Sequence, residues 1–364
     1  MRTKEGGPTP DPRAMMLNTA ALTHSRGLLL AVSGGPDSTA LLLLVDRWRQ
    51  STGVAVAVAT VDHRFRSESA QEAEAVAALC RARDFPHHTL VRDGAPPKTR
   101  IQERARHARY GLLLRCAREI GADTIVTGHH AGDQAETILM RLTRGSGLAG
   151  LAGMADVFQR DGIAIARPLL AASKADLIAV CREEGVGFVE DPSNANARFR
   201  RTGLRALATT LAAQGLDAAA LCRLGRRAAR AEAAMRWAQE EMRGAQTLSR
   251  EDDGATVAAE SLAALPEELV LRLVGAEIAR LSPQKVQRLE RLEALVAGLR
   301  TAIARDVPFS ATLAGCIVRS RKGEVTIGRA PPRRISRMTN LSSSSGEERY
   351  LSSPALLGNA GRDA

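Results

Sequence analysis

Apolar runs alternate with longer amphipathic stretches through the first half of the chain. Short runs rich in aliphatic and β-branched residues predict strands, and the alanine- and leucine-rich stretches after them are long enough to be helices. The predicted strands are Leu28–Val32, Val54–Val61, His88–Val91, Thr124–Thr127 and Ile163–Ala166. The predicted helices are Ser38–Gln50, Ser67–Asp84, Thr99–Ile120, Gly132–Thr143 and Ser173–Glu184. Such alternation predicts an α/β domain with a parallel sheet covered by helices on both faces.

The pattern changes near residue 205. Arg205–Arg243 is rich in alanine, leucine and arginine with few strand formers, and Val257–Arg300 continues in that style. These stretches predict a second, smaller domain made of helices, followed by a short segment with some strand character. The predicted organisation is a flexible leader (1–22), an α/β domain (23–205), a helical domain (206–300), a short C-terminal remnant (301–330) and a disordered tail (331–364).

The charge balance predicts an anionic partner. The 364 residues carry a formal net charge of +11, with 51 Lys and Arg against 40 Asp and Glu. A strongly basic chain most simply indicates a nucleic acid partner. The alternative is a genome whose base composition favours arginine codons.

Cysteine usage and the lack of long apolar runs predict a cytoplasmic protein. The 5 cysteines are widely spaced with no C-x-x-C, which argues against a zinc ribbon or an iron–sulfur site. An odd, unclustered number fits a reducing compartment. The first thirteen residues lack the apolar region of a secretory signal, and no apolar run approaches the length of a membrane span. The oligomeric state stays open.

The run Ser33-Gly34-Gly35-Pro36-Asp37-Ser38 lies between the first predicted strand and helix. A glycine turn that opens a helix presents unpaired N–H groups to an anion, and Gly34 and Gly35 let the backbone approach it closely. Ser38 is expected to cap the helix. The run lacks the lysine of the Gly-Lys-Ser/Thr loop and is not G-x-G-x-x-G. Asp37 suggests that a divalent cation joins the phosphate, the alternative being an ordinary Gly-Pro turn.

A second block, Gly128–Leu148, begins with two histidines at a strand end and continues with carboxylates at a helix start. Asp133 and Glu136 are three residues apart and share a helix face, so they could hold an ammonium group or complete a metal site. The histidine pair could bind a metal, hydrogen-bond a phosphate or polarise an acyl-like centre. The alternative for the whole block is an ordinary acidic helix N-terminus.

The first of these runs resembles the PP-loop of the ATP-pyrophosphatase superfamily. Five blocks in order resemble the bacterial tRNA(Ile)-lysidine synthetase family: Ser33–Ser38, Val61–Arg66, Glu103–Tyr110, Gly128–Met154, and Arg167–Leu170 with Glu190–Asn194. The resemblance covers about residues 25–205. It departs from the family pattern at Gly132 and Thr202, where the family usually has Asp and Asn.

The resemblance implies a Rossmann-like PP-loop domain that uses ATP and Mg²⁺. It implies adenylation of the C2 carbonyl oxygen of the wobble cytidine in the CAU-anticodon tRNA(Ile), then attack by free lysine. The implied nucleotide-binding residues are Ser33, Gly34, Gly35, Pro36, Asp37, Ser38, His63 and Gly128. The implied catalytic residues are Asp37, Asp133, Glu136, His129 and Arg106, with Asp37 on the metal and Asp133 and Glu136 on the lysine.

Six arginines are expected to contact tRNA: Arg104, Arg109, Arg141, Arg144, Arg201 and Arg205. The alternative for those on the third helix is a solvated basic face, and for His63 a strand-end turn. Two other functions stay open: a PP-loop tRNA thiolase, for which the paired cysteines are missing, and a tRNA-binding protein that has lost catalysis. A small-molecule amidotransferase would not need the arginine-rich helical domain.

Overall fold

The computed structural model describes residues 16–62, 69–92, 101–189, 207, 210–282 and 289–331. A short 3-10 turn at Thr19–Ala21 comes first. The first part of the chain then forms β1 (Gly27–Ala31), α1 (Pro36–Thr52), β2 (Ala55–Asp62), α2 (Ser69–Ala82), β3 (His87–Val91), α3 (Ile101–Glu119), β4 (Thr124–Thr127), α4 (Ala131–Leu142), α5 (Leu148–Leu151), β5 (Val157–Arg160), β6 (Ile163–Ala166) and α6 (Lys174–Glu183). The second part forms α7 (Ala218–Gln246), β7 (Thr247–Arg250), β8 (Gly254–Ala258), α8 (Ala259–Ala263), α9 (Glu267–Leu281), α10 (Leu289–Ala304), β9 (Phe309–Leu313), β10 (Cys316–Arg321) and β11 (Glu324–Arg329).

The first sheet has the order β3-β2-β1-β4-β6-β5. Its first five strands are parallel, and β5, which the sequence pattern did not predict, pairs antiparallel with β6. Every residue of β1 is buried because helices cover both faces of the sheet. Leu41–Val45 of α1 pack on one face, and Leu113 and Leu114 of α3 pack on the other. The predicted parallel α/β domain is confirmed.

The strand order reverses direction at β1. The chain places β2 and β3 on one side of β1, and β4 and β6 on the other. Ligands in open α/β sheets bind beyond the carboxyl ends of the strands at such a point. The loops after β1 and β4 meet there. A Cβ added to Gly128, which directly follows β4, would lie only 2.9 Å from the carbonyl oxygen of Asp37 in α1.

The second unit contains an antiparallel sheet of order β7-β8-β11-β10-β9. One face packs on α9 and α10 through a core that includes Val257, Val274, Val296, Val318 and Val325. An all-helical domain over 206–300 is therefore wrong, since β7 and β8 fall inside it. The segment 301–330 is also more than a remnant, because β11 pairs with β8 and completes the sheet.

The ends of the chain show a smaller difference. The predicted flexible leader extends to residue 22, yet Leu17 and Leu22 are buried in the first core and the N–H of Asn18 donates to the carbonyl of Pro168 (2.9 Å). A flexible leader is therefore wrong for residues 16–22. The tail predicted over 331–364 falls almost wholly outside the described residues. Where the structure is described, no helix is both long and apolar enough to cross a membrane.

Candidate active site

The loop between β1 and α1 presents backbone donors at the carboxyl edge of the sheet. Gly34 has a φ of 83°, which a residue with a side chain rarely adopts. Helix α1 begins at Pro36, whose missing N–H costs nothing at the first helical position. Among the described residues, nothing accepts the N–H groups of Gly34, Gly35, Asp37 and Ser38. Four open donors at a helix N-terminus form an anion site.

Ser38 stabilises this loop from within. Its hydroxyl accepts the N–H of Ser33 (3.1 Å) and donates to the carbonyl of Gly35 (3.1 Å), and it lies 3.3 Å from the Ser33 hydroxyl. The N-cap of α1 is Gly35, without a side-chain cap. The expectation that Ser38 caps the helix is therefore wrong. Its side chain closes the loop so that the backbone donors of the turn stay turned outward.

The second block of the sequence lies against this loop, at the N-terminus of α4. His130 is the N-cap: its Nδ1 accepts the N–H of Gly132 (2.9 Å), and its own N–H donates to the carboxylate of Asp133 (3.2 Å). Because Nδ1 accepts, the proton of the neutral ring is on Nε2. Nε2 lies 3.7 Å from Asp37 Oδ2 and 3.8 Å from Asp133 Oδ2. His130 thus connects the carboxylate of the loop with the carboxylate of α4.

Gly132 is the residue that makes this position of His130 possible. A Cβ at residue 132 would lie 2.6 Å from Cε1 and 3.0 Å from Nδ1 of the imidazole. The departure from the family pattern at this position therefore has a physical role here. The missing side chain lets the ring fold over the first turn of α4.

Asp37 has the electrostatics of a ligand-binding carboxylate. Burial raises its pKa, nearby His130 and Lys174 oppose that shift, and Asp133 adds to it. Its Oδ1 is buried and accepts no hydrogen bond within the described part of the chain. A buried carboxylate oxygen without a donor is costly unless a ligand or cation completes it. Oxygen of this kind fits Mg²⁺.

A basic corner lies beside the same edge. Burial lowers the pKa of His129 to about 4; Asp133 opposes the shift, and Arg167, Arg106 and Arg109 add to it. His129 is therefore neutral near pH 7, and Thr127 Oγ1 holds its Nδ1 at 2.8 Å. A neutral imidazole among guanidinium groups suits a negatively charged or carbonyl-bearing ligand.

Two of these arginines contact aromatic rings, and one of them is buried. Arg167 is 6% exposed, stacks on Phe158 at 4.5 Å and donates to the carbonyl of Ala155 (2.8 Å). Its Nε has no hydrogen-bond partner among the described residues. Arg106 of α3 lies over the ring of Tyr110 at 5.3 Å. Arg167 is thus held in position before any anion arrives, whereas Arg106 is exposed.

The other predicted site residues differ in where they lie, and some are outside the described part of the chain. Asp133 and Glu136 lie on one face of α4, as their spacing predicts. Arg141 donates to the carbonyls of Gly150 (2.9 Å) and Gly153 (2.6 Å), so it holds the turn of α5. Arg104 and Arg144 are exposed. His63, Arg201 and Arg205 lie outside the described residues.

Sequence reasoning missed three side chains that the fold brings to this edge: His130 as the connecting group, Arg167 and Lys174. Lys174 is the first residue of α6, next to the Ser173 cap, and it is close enough to Asp37 to lower its pKa. A lysine at the start of a helix that follows a parallel strand could have been identified from the sequence. The role of His130 depends on the space above Gly132, which only coordinates reveal.

Comparisons with known proteins agree with this geometry. The profile of the PP-loop domain family matches residues 12–211. The chain is 45% identical over 319 residues to the tRNA(Ile)-lysidine synthase of Rhodopseudomonas palustris, covering 84% of this chain and 91% of that protein. The corresponding protein of Bradyrhizobium diazoefficiens is 43% identical over 335 residues, covering 86% and 93%.

A solved structure shares the fold. It is a U34-tRNA thiolase from Methanococcus maripaludis with a [4Fe-4S] cluster, which matches with a TM-score of 0.51 at 14% identity. The match covers 59% of this chain and 76% of that chain. At this identity the likeness shows the fold alone.

Proposed function

The chain belongs to the tRNA(Ile)-lysidine synthase family of PP-loop proteins, and from this premise we propose that it joins free lysine to the wobble cytidine of the CAU-anticodon tRNA(Ile) with ATP as the energy source. It is an ATP-dependent ligase that modifies tRNA. The observation that carries the proposal is the meeting of the open donors of the PP-loop with Asp37, His130 and Asp133 at one edge of the sheet.

The first step is adenylation of the base. The C2 carbonyl oxygen of the cytidine attacks the α-phosphorus of ATP, the new O–P bond forms, and the bond to the β-phosphate oxygen breaks so that pyrophosphate leaves. The step needs alignment and stabilisation of phosphate charge more than covalent chemistry by the protein. We propose that the N–H groups of the PP-loop supply this stabilisation, together with Lys174 and the basic corner of Arg106, Arg109 and Arg167.

Mg²⁺ is part of the proposal, with Asp37 as its protein ligand. Within the described residues no group of three His, Cys, Asp or Glu side chains could hold a metal ion. Mg²⁺ does not need one, since it is usually bound by one or two carboxylates together with substrate phosphates and water. When bound, the ion would neutralise part of the phosphate charge.

The second step is attack by lysine. The ε-amine forms a bond to C2, the C2–O bond breaks, and AMP leaves with that oxygen. Free lysine is mostly protonated near pH 7, because its amine has a pKa of about 10.4. We propose that Asp133 and Glu136 bind the ammonium group and that one of these carboxylates accepts its proton. We propose that His129, which is neutral and lies near Asp133, hydrogen-bonds the activated base or the AMP phosphate.

The remaining assignments are proposals of the same kind. Residues 23–205 form the catalytic domain, with His63 and Gly128 near the nucleotide, and the second unit serves tRNA binding. Arg104, Arg109, Arg141, Arg144, Arg201 and Arg205 contact the tRNA. The reaction takes place in the cytoplasm, where tRNA, ATP and lysine are present and where five buried free thiols are stable.

The decisive experiment is nucleoside analysis of the CAU-anticodon tRNA(Ile) after incubation with the protein, ATP, Mg²⁺ and lysine. We expect lysidine together with equimolar AMP and pyrophosphate, and no lysidine when lysine is omitted. An Asp37→Asn variant should bind tRNA but form no product. If the wild-type protein binds tRNA and never consumes ATP, the non-catalytic alternative holds and the proposal fails.

A further inference from the structure

Helix α7 carries an exposed face that the catalytic site does not explain. Arg223, Arg227, Arg230 and Trp237 follow one another at spacings of four, three and seven residues. Residues so spaced lie on one face of a helix. All four are exposed, and Trp237 is 68% exposed, an unusual position for the largest apolar side chain. We call these four residues the α7 stripe.

The opposite face of α7 is the one that the protein uses for packing. Leu221, Cys222, Gly225, Ala228 and Glu232 are buried. A Cβ on Gly225 would lie 2.6 Å from Cδ1 of Ile138 in α4. The stripe is therefore not a core face left uncovered by chance. Among the described residues, none forms an ion pair with its three arginines.

The N-terminal end of α7 lies beside the catalytic site. The thiol of Cys222, next to Arg223, donates to the carbonyl of Ala131 (3.5 Å), which is the first residue of α4. His130 and Asp133 belong to that same helix end. From Arg223 to Trp237 is 14 residues, or roughly 21 Å at the rise of an α-helix. A polyanion whose reactive base enters the site reaches the stripe by passing around the N-terminal end of α7 to its outer face.

We propose that the α7 stripe binds the arm of the tRNA that flanks the modified base, with the three arginines on phosphates and Trp237 stacked on an unpaired base. The chemistry is that of single-stranded nucleic acid binding, in which a basic track follows the backbone and an aromatic ring stacks on a base. An exposed indole gains most from such a partner, because a base covers both its apolar ring and its electron-rich face. The inference rests on the proposed function, since it takes tRNA as the ligand.

The experiment uses Trp237 as its own reporter. The chain has 2 tryptophans, so a Trp48→Phe variant reports on Trp237 alone. Titration with CAU-anticodon tRNA(Ile) should quench its emission. Trp237→Ala should raise Kd roughly tenfold, the order of one base–aromatic stack, while Trp237→Phe should retain most of the affinity. The value of kcat at saturating tRNA should stay unchanged, because the stripe lies outside the catalytic groups.

The arginines are tested by salt dependence. The triple variant of the stripe to glutamine should lower the slope of log K against log salt by about 0.7 for each phosphate of a single strand that the arginines no longer neutralise. A matched triple variant removes equal charge from other exposed positions: Arg182→Gln, Arg291→Gln and Arg305→Gln. It should leave the slope nearly unchanged. Equal slopes for the two triples would mean long-range charge alone and would overturn the proposal.

Two further outcomes also overturn it. Emission of Trp237 that does not respond to tRNA removes the stacking contact. Emission that changes with protein concentration in the absence of tRNA assigns the stripe to self-association. Failure of the proposed function is a separate result. If tRNA quenches Trp237 in the wild-type protein but no lysidine forms, the α7 stripe binds tRNA and the proposed activity is wrong.

Discussion

The position of His130 is predicted to depend on the missing side chain at residue 132. In a Gly132→Ala variant the new Cβ would lie 2.6 Å from Cε1 of the imidazole. A side chain can rotate away from such a contact, so the ring is expected to leave the first turn of α4. It would then lose the hydrogen bond from the N–H of residue 132 (2.9 Å in the wild type). Nε2 would also leave its place between Asp37 and Asp133.

The stability of this variant should change little. Losing the N-cap bond costs about 1 kcal/mol. Replacing a helical glycine by alanine returns about 0.5–1 kcal/mol. The two effects nearly cancel, so urea unfolding should give a free energy within about 0.5 kcal/mol of wild type. Activity should fall, because two carboxylates lose the charged or polar group between them; we expect a loss of roughly 10-fold in kcat/KM, which corresponds to about 1.4 kcal/mol.

A double-mutant cycle separates this explanation from a simple helix defect. The cycle combines Gly132→Ala with His130→Ala and measures lysine-dependent AMP release. If the glycine acts only by making room for the ring, Gly132→Ala should have no further effect in the His130→Ala background. An equal loss of activity in both backgrounds would refute the reasoning. A loss of several kcal/mol in the unfolding free energy of Gly132→Ala would refute it as well.

Three more predictions concern the same edge of the sheet. Asp37→Asn should reduce pyrophosphate release by about 100-fold or more while tRNA affinity in a filter-binding assay stays within twofold. Burial raises the pKa of Asp37, so the folded state holds its proton more tightly than the unfolded state. The charged carboxylate therefore lowers the stability as pH rises through the folded pKa. Asp37→Asn removes this cost and should raise the urea midpoint at pH 7. Gly128→Ala should destabilise by about 1–3 kcal/mol and weaken ATP binding in calorimetry, since its Cβ would lie 2.9 Å and 3.2 Å from the backbone of Asp37 and Ser38. The pKa of His129 is lowered to about 4 in the folded state, against about 6.5 in the unfolded state. The stability that this difference gives above pH 6.5 is lost as pH falls toward 4. Between pH 7 and pH 5 the free energy of unfolding of the wild type should fall by about 2 kcal/mol more than that of His129→Asn.

Each of these three has an outcome that contradicts it. Wild-type turnover by Asp37→Asn would remove Asp37 from the phosphate site. A Gly128→Ala variant as stable as wild type would show that the two loops can separate without cost. Parallel pH dependence of unfolding in the wild type and His129→Asn would show that the buried imidazole titrates normally.

The parts of the fold that could be predicted from sequence are those with a strong local signal. The buried strands β1 and β2 and the helices around them follow from apolar runs and helical periodicity. The antiparallel strand β5 was missed, because Val157–Arg160 is short and half-exposed at the sheet edge. Strands β7 and β8 were missed because they belong to a sheet that β11, about seventy residues further on, completes by pairing with β8. The local pattern of residues 247–258 gives no sign of such a distant partner.

The candidate site divides in the same way. Asp37, Asp133 and Glu136 could be proposed because their spacing along a loop or a helix is visible in the sequence. The capping role of Ser38 was wrong because Ser33, on the other side of the loop, supplies the N–H that its hydroxyl accepts. His130 could not be assigned a role, because its ring position depends on the conformation of the first turn of α4.

The contact between α4 and α7 has a consequence for where the catalytic part of the chain ends. Ala135 and Ile138, on the helix that carries the candidate lysine-binding carboxylates, form a small core with Leu221 of α7. Further along, Arg272 of α9 pairs with the carboxylate of Glu232 of α7 through two bonds of 3.0 and 2.7 Å. A fragment cut at residue 205 would leave the apolar side of α4 in water. The smallest fragment that folds as an active enzyme is therefore expected to include α7. A change that alters the rate of amide exchange in α4 should alter the rate in α7 in the same direction.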